Sequence, residues 1–444
     1  MRRASENDPD VGGGSAERGR HDIRRRTAVV GSGVAGLTAA HVLSRVRRVA
    51  LYEADDRLGG HAHTHDLVSS DGRVHRVDSG FIVHNRRTYP NLLRLLRELD
   101  VATQESEMSM SVRCEGCGLE YAGARGPAGL LARPRSALHG SYLRMLVEVP
   151  VFHRAARRLL AEGTEGAGDT LTLGGFLTRE RFSPYFVGHF MTPLVSAVWS
   201  CDATTALDYP AAHLFRFLEH HGMLSIGDSQ VWRTVTGGSR SYVDRLAKQL
   251  DTVHTSAPVR AVRRHADGVE ITTDDGTTAS YDSVVVAVHP DQALRLLADP
   301  TEREREVLGA FRYSRNSTLL HTDTTLLPRA RRARASWNYL MPSCAAAADR
   351  VRVSYDMNRL QRLDAPETYV VTLGGDDRVD PDRVLARMEY EHPVFTPESV
   401  AAQRQLPALN TAVTAFAGAY HGWGFHEDGC RSGVTAAAAL GVVW

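Results

Sequence analysis

Apolar positions along the chain fall into a few blocks with distinct periods. The first is Thr27 to Val30, a β-branched run that predicts a short strand. The glycine-rich stretch Gly31-Ser32-Gly33-Val34-Ala35-Gly36 follows, then a helical pattern over Leu37 to Val46. A second β-run, Val49 to Tyr52, ends at Glu53. Strand, glycine turn, helix and strand make one βαβ unit. Farther on, Val259 to Arg264, Val269 to Thr273 and Ser280 to Val288 predict three strands, with turns at Ala266-Asp267-Gly268 and Asp274-Asp275-Gly276. Within the third, Ser283 to Val288 is apolar almost throughout, as in a strand buried on both faces. Helices are expected over Pro290 to Leu297, Ser239 to Leu250 and the Ala-rich Asp428 to Trp444.

Between these blocks, Tyr142 to His221 reads as mainly helical and Asn316 to Thr372 as strand-rich. Leu319, Leu320, Tyr339, Val351, Val353 and Val370 are its expected core positions. The layout predicts an α/β protein with a discontinuous Rossmann-like domain over 27–105, 236–300 and 405–444. An α+β substrate domain is expected over 106–235 and 301–404.

Composition narrows the function classes. The 444 residues are 43% hydrophobic and carry a formal charge of +1, which argues against bulk nucleic-acid binding. Residues 1–26 read as a disordered leader; its MRRAS opening is not followed by the apolar run of an export signal. The most apolar long stretch, Phe186 to Cys201, contains His189 and Pro193 and is too short to span a bilayer. Five cysteines, an odd and sparse count, argue against a disulfide framework and point to a reducing cytoplasm.

The glycine stretch carries the strongest chemistry. Gly31 permits the tight turn, Gly33 lets the backbone approach a pyrophosphate, and Gly36 allows close helix–strand packing. N–H groups at the helix start, with Ser32 and Ala35 among them, face the phosphates. Glu53 ends the second strand, where an acid accepts from ribose hydroxyls and disfavours the phosphate of NADP.

Directly after it comes Arg57-Leu58-Gly59-Gly60-His61. Phe416-Ala417-Gly418, Gly424 through Gly429 and Ser432-Gly433 lie far downstream. On these motifs the chain resembles the flavin-containing amine oxidase and phytoene desaturase superfamily. The resemblance implies FAD as cofactor. Gly59, Gly60 and Arg57 would sit at the pyrophosphate and flavin end, His61 near the flavin, and Val259 would serve the adenine through its backbone. Glu427 or Asp428 would stand in for the family's closing acid, whose usual place holds Tyr420. Phe425 occupies the slot where amine oxidases often put a tyrosine. DSGFIVHN at Asp78 to Asn85, TYPNLLRLL at Thr88 to Leu96 and MNRLQ at Met357 to Gln361 are similar to one branch. It is often found beside cyclopropane-fatty-acid-synthase-like methyltransferases, which implies a lipid-linked role and such a methyltransferase as partner, with the membrane surface as a second place of action. Many amine-oxidising members hold a lysine near the flavin; Lys248 is the only lysine here and falls in a helix. An apolar, fatty-acyl substrate is therefore expected, with amine oxidation and a non-catalytic lipid-holding role as rivals.

Other residues read more blandly. His61, His63 and His65 could share a strand face and hold a metal, but the flavin-site reading of His61 is preferred, with a proton-relay role from its near-neutral pKa. His426 is its rival. Cys114 and Cys117 form one CxxC that reads as a hairpin turn, with no metal expected. Trp199, Trp232 and Trp337 could line a pocket, with core packing the default for aromatics.

Overall fold

A computed structural model describes residues 24–162, 170–225, 230–344 and 351–444. Most of the leader expected over 1–26 lies outside the described residues; Arg26 already belongs to the first strand.

Five parallel strands form the sheet that carries the glycine turn. Their order is Thr252–His254, Arg48–Tyr52, Arg26–Val30, Ser283–Val286 and Thr414–Phe416. The strand Arg26–Val30 sits in the middle, between the strand that follows it directly and one more than 250 residues later in the chain. The sheet is covered by the helices Val34–Ser44 and His426–Ala439, which pack on each other through small residues. A Cβ at Gly433 would lie 2.3 Å from the Ala35 carbonyl oxygen, so the second helix approaches the first as closely as backbone allows.

The run from Ser280 to Val288 is two strands, not one. Thr278–Tyr281 closes a three-stranded antiparallel meander with Val259–Arg264 and Val269–Thr273. The chain turns at Asp282, whose carboxylate accepts from Arg26 N at 2.6 Å, and Ser283–Val286 enters the parallel sheet fully buried. Periodicity cannot separate the two because the apolar character continues across the turn. The final helix also differs. It starts at His426 and stops at Ala439, because Gly441 takes φ +86° and the Val442 N–H turns back to the Ala437 carbonyl.

A second, seven-stranded sheet carries the other half of the molecule, in the order Val384–Val394, Arg312–His321, Val370–Leu373, Val353–Asp356, Trp337–Met341, Met110–Cys114 and Glu120–Ala122. All six core positions expected in 316–372 are buried. Helices from Gly140–Ala161 to Ala211–His220 pack on one face of this sheet around Phe152, Phe176, Phe186 and Phe215. One strand crosses the expected boundary: Trp232–Val235 pairs with Val83–Asn85 and Thr103–Glu105, tying 106–235 to the first segment. Among the described residues no helix is long and apolar enough to cross a membrane.

Candidate functional site

A cavity of about 1410 Å³ opens between the two sheets, larger than the roughly 300–1,000 Å³ of an ordinary small-molecule site. One end is the glycine turn. Gly31 takes φ +98°, and a Cβ there would sit 2.7 Å from the Ala287 carbonyl oxygen. Gly36 would drive a Cβ into the Gly31 carbonyl, so it serves helix–strand packing and does not line the cavity. At Gly33 a Cβ would meet nothing within 4 Å, which leaves open space against the backbone. The helix Val34–Ser44 begins there with no side-chain cap and no acid in its first turn, so its leading N–H groups are available to an anion.

Glu53 organises this end. Its carboxylate accepts from Ser32 N at 2.9 Å, from the Ser32 hydroxyl and from Asp55 N at 3.0 Å. Across from it, Gly60 takes φ +56° and lies against Gly33, while Arg57 Nη1 donates to the Gly60 carbonyl at 2.8 Å. Gly59 stands behind, with its N–H on Ser32, outside the lining. Ser32, Gly33, Ala35, Glu53, Arg57, Gly60 and Val259 all line the cavity. His61 Nε2 and the Tyr420 hydroxyl, also in the lining, are buried without a hydrogen-bond partner among the described residues, as are the Gln230 amide and Trp337 Nε1 elsewhere in the lining. Open space at Gly33, a bare helix N-terminus and the unpartnered polar atoms of His61 and Tyr420 together fit a dinucleotide that carries a polar ring system. FAD meets that description, and these residues would hold it.

His61 differs from the sequence expectation in its charge. Burial, then the nearby His392, His289 and His426, press its pKa well below the ordinary imidazole value. It is a neutral donor or acceptor across the physiological range, not a group titrating near pH 7. His63 and His65 turn away into separate bonds, to the Tyr390 hydroxyl at 2.9 Å and Ser79 Oγ at 2.9 Å, so the three histidines do not converge on one point. His426 also lines the cavity, but its ring stacks on Phe81 at 3.6 Å and its Nε2 pairs with Tyr242 at 3.1 Å.

The two acids of the closing motif also differ from expectation. Neither side chain lines the cavity. Glu427 accepts from Asn91 N, Asn91 Nδ2 and Leu92 N, and so caps the helix Pro90–Glu98. Asp428 accepts from Trp423 N at 3.0 Å and Phe425 N at 3.1 Å and pairs with Arg431 at 2.8 Å. It holds the loop that presents Phe425. The Phe425 ring lines the cavity and stacks on Phe217 at 4.9 Å, 18° from parallel.

The far arm of the cavity is walled by Met145, Phe190, Leu194, Trp199, Phe217 and Trp337. Trp199, Trp232 and Trp337 are all wall residues, the alternative to their default core reading. Every Asp, Glu and Arg in the lining comes from 53–57, 295 or 389–391; residues 108–232 and 337–373 contribute none. Their two imidazoles, His153 and His221, are both buried and pushed down by that burial, His221 to about 4, and both are neutral. Lys248 is exposed at the end of Arg240–Ala247 and is not in the lining.

Comparison with known proteins agrees with this geometry. A protein from Mycobacterium tuberculosis assigned as a flavin-containing monoamine oxidase is 29% identical over 291 residues, covering 61% of this chain and 58% of its own. The carotenoid phi-ring synthase of Streptomyces griseus is 31% identical over 296 residues, 62% of this chain and 54% of its own. The chain thus spans less than three fifths of the length of these relatives. The fold matches that of a putrescine oxidase bound to putrescine, with a TM-score of 0.66 at 17% identity over 94% of this chain and 99% of that one. The family model described as flavin containing amine oxidoreductase matches residues 34–323, from the first turn of the glycine-loop helix into the second sheet, and the chain belongs to that family.

Proposed function

We propose that this protein is an FAD-dependent oxidoreductase that removes a hydride from an apolar, fatty-acyl substrate in the cytoplasm. The observation that carries the reading is the far arm: large, aromatic and aliphatic, without a carboxylate or a cation among its described residues. An acyl chain gains roughly 0.8 kcal/mol per methylene buried in such walls, so it needs no charged anchor. An ammonium ion would enter without a counter-charge.

FAD, when bound, supplies the hydride acceptor. The chain supplies the rest. The glycine turns and the helix N-terminus bind phosphate, Glu53 orients the ribose end, and the walls of Trp199, Phe217 and Phe425 exclude water. Neutral His61 offers Nε2 as a hydrogen-bonding atom without adding charge.

A second reading, amine oxidation, draws on the stacked Phe217–Phe425 pair, whose faces could attract a cation, and on the monoamine oxidase relative. A third, lipid holding for a partner methyltransferase without turnover, needs the same arm. Anaerobic mixing with fatty-acyl lipids and with amines separates them. Bleaching of the flavin by acyl lipids alone supports the proposal. Bleaching by an amine supports the second, and tight lipid binding without bleaching the third.

A further inference from the structure

Four metal-binding side chains meet at one point far from the glycine turn. Cys114, Cys117, His189 and Cys344 place their ligand atoms within 4.8 Å of one another. Cys114 Sγ and Cys344 Sγ are 3.6 Å apart, and Cys117 Sγ is 3.7 Å from His189 Nε2. A tetrahedral zinc ion with bonds of about 2.3 Å to sulfur and 2.0–2.1 Å to nitrogen separates its ligands by about 3.8 Å (S to S) and 3.6 Å (S to N). Both observed spacings are those of ligands around a common centre.

Three separate segments build this cluster. Met110–Cys114 ends in the turn Glu115-Gly116-Cys117-Gly118, where Gly118 takes φ +71°. The Cys117 N–H points at the Cys114 sulfur and the Leu119 N–H at the Cys117 sulfur. Such donors stabilise thiolates. Cys344 follows the strand Trp337–Met341, which pairs in parallel with Met110–Cys114. Gly116 permits its approach: a Cβ there would lie 2.8 Å from Cys344 N and 3.1 Å from its sulfur. His189 lies on the π-turn Val187–Met191, a feature concentrated at functional sites. Its ring is held by stacking on Tyr185 at 3.8 Å, 7° from parallel, and its carbonyl accepts from Tyr121 at 2.8 Å. The Tyr185 hydroxyl, 3.5 Å from Cys117 Sγ, adds an outer donor.

We propose that Cys114, Cys117, Cys344 and His189 form a closed, four-coordinate structural zinc site. Three soft thiolates and one imidazole select Zn(II) over hard cations, and four protein ligands leave no position for a substrate. Binding releases the thiol protons and ties the hairpin turn, the π-turn and the strand-end loop into one unit. The π-turn continues into Thr192–Trp199, which carries Leu194 and Trp199 of the cavity wall, so the metal fixes that wall from behind.

The test measures metal in the flavin-loaded full chain, purified under reducing conditions from zinc-supplemented cells. One zinc per chain is expected, with at least a tenfold loss in Cys117→Ser and His189→Ala. Flavin content should be unchanged, and Cys201→Ser should keep the metal. Wild-type protein produced with cobalt(II) should show the intense d–d bands of a tetrahedral thiolate site, beyond the flavin absorption. Wild-type protein without zinc and without that spectrum would overturn the proposal, whatever the variants do. So would equal metal loss in Cys201→Ser, or a Cys114–Cys344 disulfide in the intact-mass spectrum.

Discussion

Replacing Glu53 by Gln tests the cofactor end directly. The carboxylate takes three hydrogen bonds from Ser32 and Asp55, two of them from backbone N–H groups at 2.9 and 3.0 Å. Glutamine keeps one acceptor oxygen and turns an NH₂ toward the other side, so one set of donors faces a donor. The negative charge that favours ribose hydroxyls also goes. A hydrogen bond to a charged group is worth roughly 1.5–3 kcal/mol, and part of that is retained by the amide oxygen, which leaves a loss of roughly 1–3 kcal/mol. At about 1.4 kcal/mol per decade, FAD should bind about 5–150-fold more weakly. The assay is titration of apoprotein with FAD by quenching of flavin fluorescence at fixed salt. Thermal unfolding of both apoproteins alongside it separates damage to the turn from loss of ligand contacts. An FAD affinity within twofold of wild type, with an unchanged apoprotein, would refute the role assigned to Glu53.

Gly433→Ala places a methyl group 2.3 Å from the Ala35 carbonyl oxygen and should lower stability by roughly 1–3 kcal/mol, read as a lower melting temperature and weaker FAD retention. Asp428 is held up at about 6 by burial, against the opposing pull of Arg431 and two backbone N–H groups. Its native form thus keeps a proton that the unfolded chain releases, and this contribution, on the order of 1–3 kcal/mol, is full below the unfolded value near 3.8 and is lost as pH rises through about 6. The melting-temperature difference between Asp428→Asn and wild type should therefore shift in the variant's favour from pH 4 to 7; a difference constant with pH would sink the assignment. Phe425→Ala should keep FAD bound and slow flavin reduction by acyl lipids, because the ring lines the cavity while the backbone N–H that Asp428 holds is unaffected. Lys248→Met should change neither amine nor lipid reactivity, and an amine-dependent loss in that variant would restore the amine reading.

The cofactor end was legible because its information is local. Gly31, Gly33, Gly36 and Glu53 lie within one βαβ unit, and each has a backbone or charge reason that its neighbours in sequence reveal. The buried strand Ser283–Val286 shows itself by continuous apolar character. Long-range placement was not legible. An acid at a helix start suits a ligand or another helix equally, and only the fold brings Asn91 to Glu427, 336 residues away. His61 loses its near-neutral pKa to burial and to histidines from distant strands. Cys344 stands 230 residues from Cys114, so a lone CxxC in the sequence carries no sign of its other two partners.

The position of Arg26–Val30 at the centre of the parallel sheet has a consequence for synthesis. Its neighbour Ser283–Val286 and the covering helix His426–Ala439 are translated long after it. Gly433 packs on Ala35, yet about 400 residues separate their emergence from the ribosome, roughly 20–80 s at 5–20 residues per second. Throughout that interval the apolar helix Val34–Ser44 lacks its main helix partner. The contact between the two helices, which closes the sheet on this face, can therefore form only once synthesis of the chain is nearly complete.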